Sequence, residues 1–363
     1  MSASTNPARV TSVPLTSVPP APVPPASDLA ASASHPWHQR LRHRLDRRPE
    51  LFTLFLLVGL CATVGFINPN FFQVATLFDI ARSSVVIGLF ALGVFVILAA
   101  GGIDVSFTAI AALSMYTVTQ LVATRFPGAP LALIFAISAL GGGGLGLING
   151  LLVHHLKAPS LIVTIGTQYL FRGFLLTFVG TAWILNLPDQ MDSFGRLALI
   201  HYAAPNGAKA MLPVFFLALP AAAGLTWWIL NRTLMGRAIF ATGGSLVIAE
   251  RLGFNGRAVH FFIFAYTGAL AGVAGMIHVC ANRLANPFDL VGIEIDVIAA
   301  VVLGGARITG GTGSVTGTVL GVFLVVVINN VLIMTGVPST WQRVVVGAFI
   351  LIAGAFFVVR RRR

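Results

Sequence analysis

The sequence predicts an all-α, polytopic membrane protein, because three of its properties exclude an ordinary soluble domain. Hydrophobic residues make up 56% of the 363 residues and charged residues only 9%, whereas soluble domains carry about 25% charged residues. The 38 glycines lie largely inside long apolar runs, where small residues let membrane helices approach closely. Most of the 23 lysines and arginines lie between those runs or at the two ends. Membrane topology therefore accounts for the net charge of +12, and no nucleic-acid partner is predicted.

Residues 1–48 are predicted to form a cytoplasmic tail that precedes the membrane domain. The first 34 residues are rich in Ser, Pro and Ala, a composition that favours disorder because it buries little apolar surface. The basic stretch that follows, residues 35–48, is interpreted as a cytoplasmic anchor rather than a signal peptide, since no small-residue cleavage site follows the first apolar run. The membrane domain is predicted over 49–359, and residues 360–363 form a basic cytoplasmic end.

About ten apolar runs are long enough to cross about 30 Å of hydrocarbon at about 1.5 Å per residue. The bias of basic residues places both termini in the cytoplasm. The glycine-rich stretch 304–313 makes the eighth and ninth spans the least regular, and a re-entrant break there is an alternative to two full spans. The predicted spans are 51–67, 82–100, 105–124, 131–153, 159–179, 211–230, 261–281, 294–309, 314–334 and 341–359.

Part of the second half echoes the first, which predicts an inverted repeat. Asp104 precedes an Ile-Ala-Ala triplet, as Glu294 does, and the spans that carry these acids run in opposite directions in the predicted topology. Inverted repeats of transporters place the substrate path at the repeat interface. Chance similarity between apolar segments is the alternative interpretation.

Three runs of glycines at four-residue spacing predict close helix packing with no chemistry implied. They are Gly142 to Gly150, Gly268 with Gly272, and Gly317 with Gly321.

No catalytic motif is found in the chain. Neither Lys157 nor Lys209 belongs to a phosphate-binding G-x-x-x-x-G-K-[ST] loop, so the chain is not expected to hydrolyse ATP by itself. No zinc-protease or nucleophile-elbow motif is present. The two cysteines, Cys61 and Cys280, lie in apolar runs and predict no metal site. The sequence therefore favours a transporter over an enzyme.

The longest polar loop between cytoplasmic span ends is residues 231–260. It contains a Gly243-Gly244 turn, a plausible helix N-cap at Ser245, a short helix from Leu246 to Leu252, and a stop at Gly253. Such a helix suits docking of a soluble partner, and a helix that lies on the lipid surface is the alternative.

Four motifs of the sequence match one known family: Gly101 to Ser106, Ala158 to Thr167 with Arg172-Gly173, the loop from Gly236 through Gly244 to Ala249 and Gly253, and Glu294 to Gly321. Through these motifs the sequence resembles the permease subunits of ribose-type ABC importers over about residues 50–358. It departs from their usual pattern after Ser106, where it reads Phe107-Thr108-Ala109 in place of a Val-Gly-Ser-like continuation.

The resemblance implies a permease of the bacterial inner membrane, multi-pass in lipid and without a cofactor of its own. Family members form homo- or heterodimers, receive a monosaccharide or related polyol from a periplasmic binding protein, and are driven by a separate ATPase subunit that binds ATP and Mg²⁺. The cytoplasmic loop would then contact that ATPase. The coupling residues implied are Gly243, Gly244, Ala249, Glu250, Arg251 and Gly253.

A neutral sugar needs hydrogen-bonding groups along its path, which makes polar residues of spans three to five and eight the candidates. Their alternative role is to bond neighbouring helices, and the acids could instead pair with Arg82, Arg172 or Arg307. The candidate pathway residues are Asp104, Asn149, Thr164, Thr167, Gln168, Tyr169, Glu294 and Asp296.

Two other functions remain open from the residues alone. An ion-gradient-driven transporter would use the same three acids as proton or cation sites. A membrane scaffold or receptor would use the 231–260 loop to dock a signalling partner.

Overall fold

The computed structural model describes residues 49–203 and 209–336, together with positions 338, 341, 344, 347 and 348. The predicted tail 1–48, the basic end 360–363 and nearly all of the predicted tenth span lie outside the described residues. The described helices are α1 Pro49–Ile67, α2 Val74–Ala99, α3 Phe107–Arg125, α4 Leu131–Leu156, α5 Ser160–Phe174 followed by a π-helical turn Leu175–Val179, α6 Asp189–Arg196, α7 Ala218–Arg232, α8 Leu234–Gly244, α9 Leu246–Arg251, α10 Gly256–Asn282, α11 Glu294–Leu303 and α12 Val315–Met334. Short 3₁₀ turns at Pro69–Phe72 and Val214–Leu217 precede α2 and α7.

Eight helices of the described part are long and apolar enough to cross a membrane. They confirm the polytopic all-α class and correspond to predicted spans one to seven and nine. The predicted eighth span, 294–309, is wrong as a full span, because its helix α11 has only 10 residues and extends about 15 Å, half of the apolar thickness. The backbone then continues as a loop in which Gly305, Gly310 and Gly311 have positive φ angles. The re-entrant break considered from the sequence is therefore the structure that forms.

The segment between α6 and α7 contains an antiparallel hairpin that the sequence analysis did not predict. Its strands are β1, Ala198–Ala203, and β2, Lys209–Pro213. β1 is almost wholly exposed, so no buried face imposes the alternation by which a strand is recognised in a sequence. The hairpin marks one end of the bundle, the hairpin end; the end that carries α8 and α9 is the α9 end.

Helices α4 and α10 form the most extensive pair in the bundle, and glycines allow it. Gly142 lies against the backbone of Gly268, and Gly146 against Phe264, so that a methyl group at either glycine would overlap a carbonyl oxygen. Ser138 Oγ also donates to Gly272 O across the pair (2.8 Å). Gly317 and Gly321 of α12 pack in the same way on Gly304 and Ala300. The predicted close-packing glycine faces are confirmed.

The helices that carry the predicted repeat run in opposite directions, as expected. α3 runs toward the hairpin end, and α11 runs from about the middle of the bundle toward the α9 end. Their lengths differ, 19 residues against 10.

Four glycines meet at the α9 end and form the glycine junction: Gly101, Gly243, Gly310 and Gly311. Gly311 N donates to Ala99 O (3.0 Å), and Gly243 lies so close to Ala99 O and Gly311 N that it has no space for a Cβ. The junction joins the end of α2, the end of α8 and the loop after α11 through backbone atoms. Three residues beyond Gly101, the chain reaches Asp104.

Candidate functional site

Polar side chains from four helices and one loop meet inside the apolar bundle. We call them the central polar cluster. Asp104 and Ser106 lie on the irregular segment between α2 and α3, and Glu294 is the first residue of α11. Breaks in membrane helices place backbone and side-chain polar groups at membrane depth, where transporters bind solutes. The cluster consists of Asp104, Ser106, Thr108, Asn149, Thr164, Gln168 and Glu294.

One arm of the cluster, the Asp104 arm, is almost fully buried. Asp104 Oδ1 accepts hydrogen bonds from Ser106 N and Ser106 Oγ (2.7 Å each). Asn149 Nδ2 of α4 donates to Ser106 Oγ (2.7 Å). Asn149 Oδ1 is buried and has no hydrogen-bond partner among the described residues. An unsatisfied buried acceptor costs about 1–3 kcal/mol, so this oxygen is a candidate to accept a hydrogen bond from a solute hydroxyl.

Helix α5 holds the irregular segment in place from the other side. Ser160 Oγ accepts from Ile103 N (2.8 Å), and Thr164 Oγ1 accepts from Val105 N (3.4 Å). These bonds satisfy backbone groups that lack a helical partner in the segment, as buried backbone requires. Ser160 and Thr164 are four residues apart and therefore lie on one face of α5.

The second arm, the Glu294 arm, joins three helices at one carboxylate oxygen. Thr108 Oγ1 of α3 donates to Glu294 Oε1 (2.6 Å), and Gln168 Nε2 of α5 donates to the same oxygen (2.9 Å). Glu294 is 7% exposed, and Gln168 is half-buried. Gln168 borders the exposed face of α5, so this arm is the more accessible of the two.

The arginines considered as partners do not pair with Asp104 or Glu294 in the described part of the chain. Arg82 donates to Ala281 O (2.7 Å), and Arg172 donates to Phe288 O (3.5 Å). Ion pairs among residues 49–203 and 209–336 involve other carboxylates, Asp192 and Asp289. The central polar cluster therefore contains two carboxyl groups and no basic side chain among the described residues.

Five of the eight candidate pathway residues meet in the cluster, and three lie elsewhere. Thr167 is buried beside it, but its hydroxyl bonds Thr164 O on its own helix (3.3 Å). Tyr169 is 73% exposed and faces away from the bundle. Asp296 is half-buried, two residues beyond Glu294.

Sequence reasoning missed two members of the cluster, Ser106 and Thr108. Thr108 was noted only as part of the departure from the family pattern. The signal available was its position, since Thr108 is a polar residue in the first turn of α3, only four residues after Asp104.

At the hairpin end, two irregular segments contact each other, and the second of them leads directly into Glu294. Ile184, which follows the π-helical turn, and Ala285, which follows α10, exchange both backbone hydrogen bonds (3.0 Å each). Tyr116 Oη donates to Ala182 O (2.8 Å) in the first segment. Asp289 contacts His278 Nε2 (3.0 Å) in the second. We call the two segments, 180–185 and 283–293, the end closure.

At the α9 end, helix α9 forms as the sequence predicts. Ser245 Oγ accepts from Ile248 N (3.4 Å) as the N-cap. The helix ends with Gly253 at φ +87°, where Gly253 N donates to Glu250 O (3.0 Å) and Phe254 N to Ala249 O (3.1 Å). This pair of bonds is the Schellman motif, which requires a left-handed residue and favours glycine.

The candidate coupling residues fall into two groups. Ala249 is buried, and Glu250 and Arg251 are exposed, beside the exposed apolar side chains of Val247, Ile248 and Leu252. Gly243 and Gly244 do not form the predicted free turn. They end helix α8, and Gly243 is packed into the glycine junction because only a residue without a Cβ fits there.

Comparison with known proteins assigns a family to this architecture. Residues 76–354 match the family model described as "Branched-chain amino acid transport system / permease component". The chain is 32% identical to the Autoinducer 2 import system permease protein LsrC of Yersinia enterocolitica, over 82% of this chain and 79% of that protein. It is also 32% identical to the proteins of the same name from Yersinia pseudotuberculosis and Yersinia pestis, over 82% of this chain and 81% of theirs. No solved structure is significantly similar.

Proposed function

Because this chain belongs to the permease family of ATP-driven importers, we propose that it carries a monosaccharide or a related neutral polyol into the cytoplasm. It is a multi-pass membrane permease and not an enzyme. An ion-gradient-driven transporter is the alternative that this family membership disfavours. The relatives named above are permeases for autoinducer 2 import, and we infer for this chain only the broader class of small polyhydroxylated solutes.

The central polar cluster is the observation that carries the choice of solute class. Its side chains are hydroxyl, amide and carboxylate groups, which exchange hydrogen bonds with sugar hydroxyls. It lies at a break between helices in an apolar bundle, where a polar solute needs replacements for its hydration. Asn149 Oδ1 and the accessible Glu294 arm are the groups available to do so.

We infer that the α9 end faces the cytoplasm and receives a separate ATPase subunit. Among the described residues, Arg237 and Arg251 lie on α8 and α9 themselves, which agrees with the positive-inside rule for a cytoplasmic end. The exposed surface of α9 combines Val247 and Ile248 with the charges of Glu250 and Arg251, a mixture suited to a protein partner. ATP and Mg²⁺ would be bound by that partner, and this chain would hold no cofactor.

Membership of the family supports the proposal of two further partners. We propose that the chain pairs with a second copy or a paralogue in the inner membrane, and that a periplasmic binding protein delivers the solute at the hairpin end. ATP-driven approach of two ATPase subunits would move α8 and α9, and the central polar cluster would then face the two sides of the membrane alternately.

The test is reconstitution of the chain in proteoliposomes with a candidate ATPase subunit and a candidate periplasmic binding protein. Uptake of a labelled neutral sugar should require ATP inside the vesicle and the binding protein outside, and should persist when an uncoupler collapses the proton gradient. Uptake without ATP that the uncoupler abolishes would favour the ion-driven alternative. Copurification of the chain with a signalling protein, and no solute flux with any of these components, would favour the scaffold.

A further inference from the structure

We propose that Glu294 is the group that selects the solute in the central polar cluster, and that Thr108 and Gln168 are positioning residues that hold it for this task. The selected class is a neutral solute with several hydroxyl groups, and anionic analogues such as phosphate esters are excluded. This inference rests on the proposed function and assigns the selectivity to one side chain.

The first argument is the geometry around Glu294. Two donors from two different helices, Thr108 Oγ1 and Gln168 Nε2, bind the same oxygen, Oε1, at 2.6 and 2.9 Å. Two such bonds fix the orientation of the carboxylate, because the group can no longer rotate without losing one of them. No residue within 49–203 or 209–336 donates to Oε2. That oxygen is therefore the acceptor that a solute can use.

The second argument is the charge of the cluster. Asp104 and Glu294 are its two ionisable groups among the described residues, and both are acids. Two of the candidate cations, Arg82 and Arg172, donate to backbone carbonyls instead. An anion that enters this low-dielectric region is repelled by the two carboxylates, and no described basic side chain offsets the repulsion. Its binding free energy is therefore unfavourable. A hydroxyl group, in contrast, donates a charge-assisted hydrogen bond to the carboxylate.

The third argument is accessibility. Asn149 and Asp104 are almost fully buried, whereas Gln168 is half-buried and Glu294 lies directly after the end closure. A solute that enters when the end closure opens meets the Glu294 arm before the Asp104 arm. The first contact made by the solute is thus with the carboxylate, and selection at this point precedes any deeper binding.

The experiment measures binding to the permease–ATPase complex in lipid nanodiscs by scintillation proximity. The probes are radiolabelled D-ribose, D-xylose and D-galactose and the phosphate ester of each sugar. The wild-type complex should bind at least one neutral sugar and none of the esters. Glu294→Gln should weaken binding of that sugar at least tenfold and reduce the discrimination against its ester.

Variants of Thr108 separate positioning from simple structural support. Thr108→Val removes the hydroxyl at constant shape and should weaken sugar binding severalfold, whereas Thr108→Ser restores the donor and should restore binding. Thr119→Val is the matched control, because Thr119 is a buried residue of the same helix whose hydroxyl has no described partner. It should bind the sugar as the wild type does.

Each outcome decides between the two levels of the proposal. Wild-type binding by Glu294→Gln, or equal behaviour of Thr108→Val and Thr119→Val, would overturn the role of Glu294 while leaving the importer function intact. Binding or ATP-driven uptake of a phosphate ester by the wild type would overturn the solute class in the same way. Absence of any ATP-driven uptake in the proteoliposome assay would instead overturn the proposed function.

Discussion

At the residue scale, the central polar cluster shows how a few hydroxyl groups hold in place the irregular segment that connects two membrane helices. Ser106 has two roles there: its backbone and side chain donate to Asp104, and its oxygen accepts from Asn149. Ser160 and Thr164 supply the bonds that the backbone between α2 and α3 cannot make within a helix. The irregular segment is therefore defined by side chains and not by the chain's own helical periodicity.

The first prediction concerns Ser106. Ser106→Ala should destabilise the protein by about 1–3 kcal/mol, because the change leaves Asn149 Nδ2 unpaired and takes one donor from Asp104. Thermal unfolding of the purified permease in detergent measures the effect. Ser114→Ala is the control, since Ser114 Oγ on the following helix, α3, is buried and has no described partner. An equal loss of stability in both variants would contradict the assigned network.

At the element scale, two features set the arrangement of helices: the direct backbone contact of α4 with α10, and the end closure at the hairpin end. The first is fixed by glycines that leave no space for a side chain. The second is fixed by one pair of backbone hydrogen bonds between Ile184 and Ala285 and by a few side-chain contacts. The contact of α4 with α10 is extensive enough to persist throughout a transport cycle. The end closure is small enough to break during that cycle.

The second prediction tests the permanent contact. Gly142→Ala should destabilise the protein by about 1–3 kcal/mol, because the added methyl group overlaps the Gly268 carbonyl and pushes α4 from α10. Gly144→Ala, in the same helix, has open space around its added methyl group. Its thermal unfolding temperature should stay within a few degrees of the wild type. A similar loss in both variants would show that helix propensity, and not packing, dominates.

The third prediction tests the end closure. Cysteines at 184 and 285, in a Cys61→Ala, Cys280→Ala background that transports, should form a disulfide, because paired residues that exchange both bonds have Cα atoms about 5.5 Å apart. Cross-linking should stop uptake in proteoliposomes, and a reductant should restore it. Cysteines at Tyr202 and Ala210, which pair in the hairpin, should cross-link without stopping uptake. Normal uptake with the 184–285 bridge in place would mean that this closure need not open.

At the scale of the whole molecule, the two ends of the bundle differ in the partners that they suit. The α9 end presents an exposed helix with apolar and charged side chains on a short, well-capped turn. The hairpin end presents a small exposed sheet and the end closure. Such a difference between the two ends suits a permease that is driven by one partner protein and receives its solute from another.

The fourth prediction concerns assembly. Ile248→Asp should weaken binding of the ATPase at least tenfold, about 1.4 kcal/mol, since it places a charge in the apolar part of the proposed contact. Ile200→Asp makes the same change at the hairpin end, on a side chain of comparable exposure, 49% against 59%. Affinity purification in mild detergent measures ATPase recovery for both. Full recovery with Ile248→Asp would move the contact away from α9.

The parts of this structure that the sequence predicts are those encoded by local periodicity and spacing. The long spans, the packing glycines and the Ser245 to Gly253 turn depend on residues within a few positions of each other. The contact of Thr108 with Glu294 joins residues 186 positions apart, so no local pattern reveals it. The short α11 was mistaken for a full span because hydropathy does not distinguish a half-crossing helix with a buried glycine loop from a complete one.

Gly243 illustrates why other local structures could not be predicted from the sequence. Two consecutive glycines favour a turn on propensity grounds, yet helix α8 continues through them. Tertiary contact decides the outcome, because a residue with a side chain at position 243 could not approach Ala99 O. The same sequence feature that suggests flexibility in isolation marks a tight joint in the folded bundle.

The glycine junction leaves α2, α8 and the loop after α11 little freedom to move independently of one another. Where side chains separate two segments, they absorb small displacements by changing rotamer before the neighbouring segment moves. At positions 101, 243, 310 and 311 the segments contact each other through backbone atoms, with no side chains between them. If the ATPase contacts α9 as proposed, a displacement of α9 would pass through α8 to Gly101, three residues from Asp104, with little loss. Alanine substitutions at the glycine junction should therefore separate these segments. The number of ATP molecules hydrolysed for each solute transported should then rise.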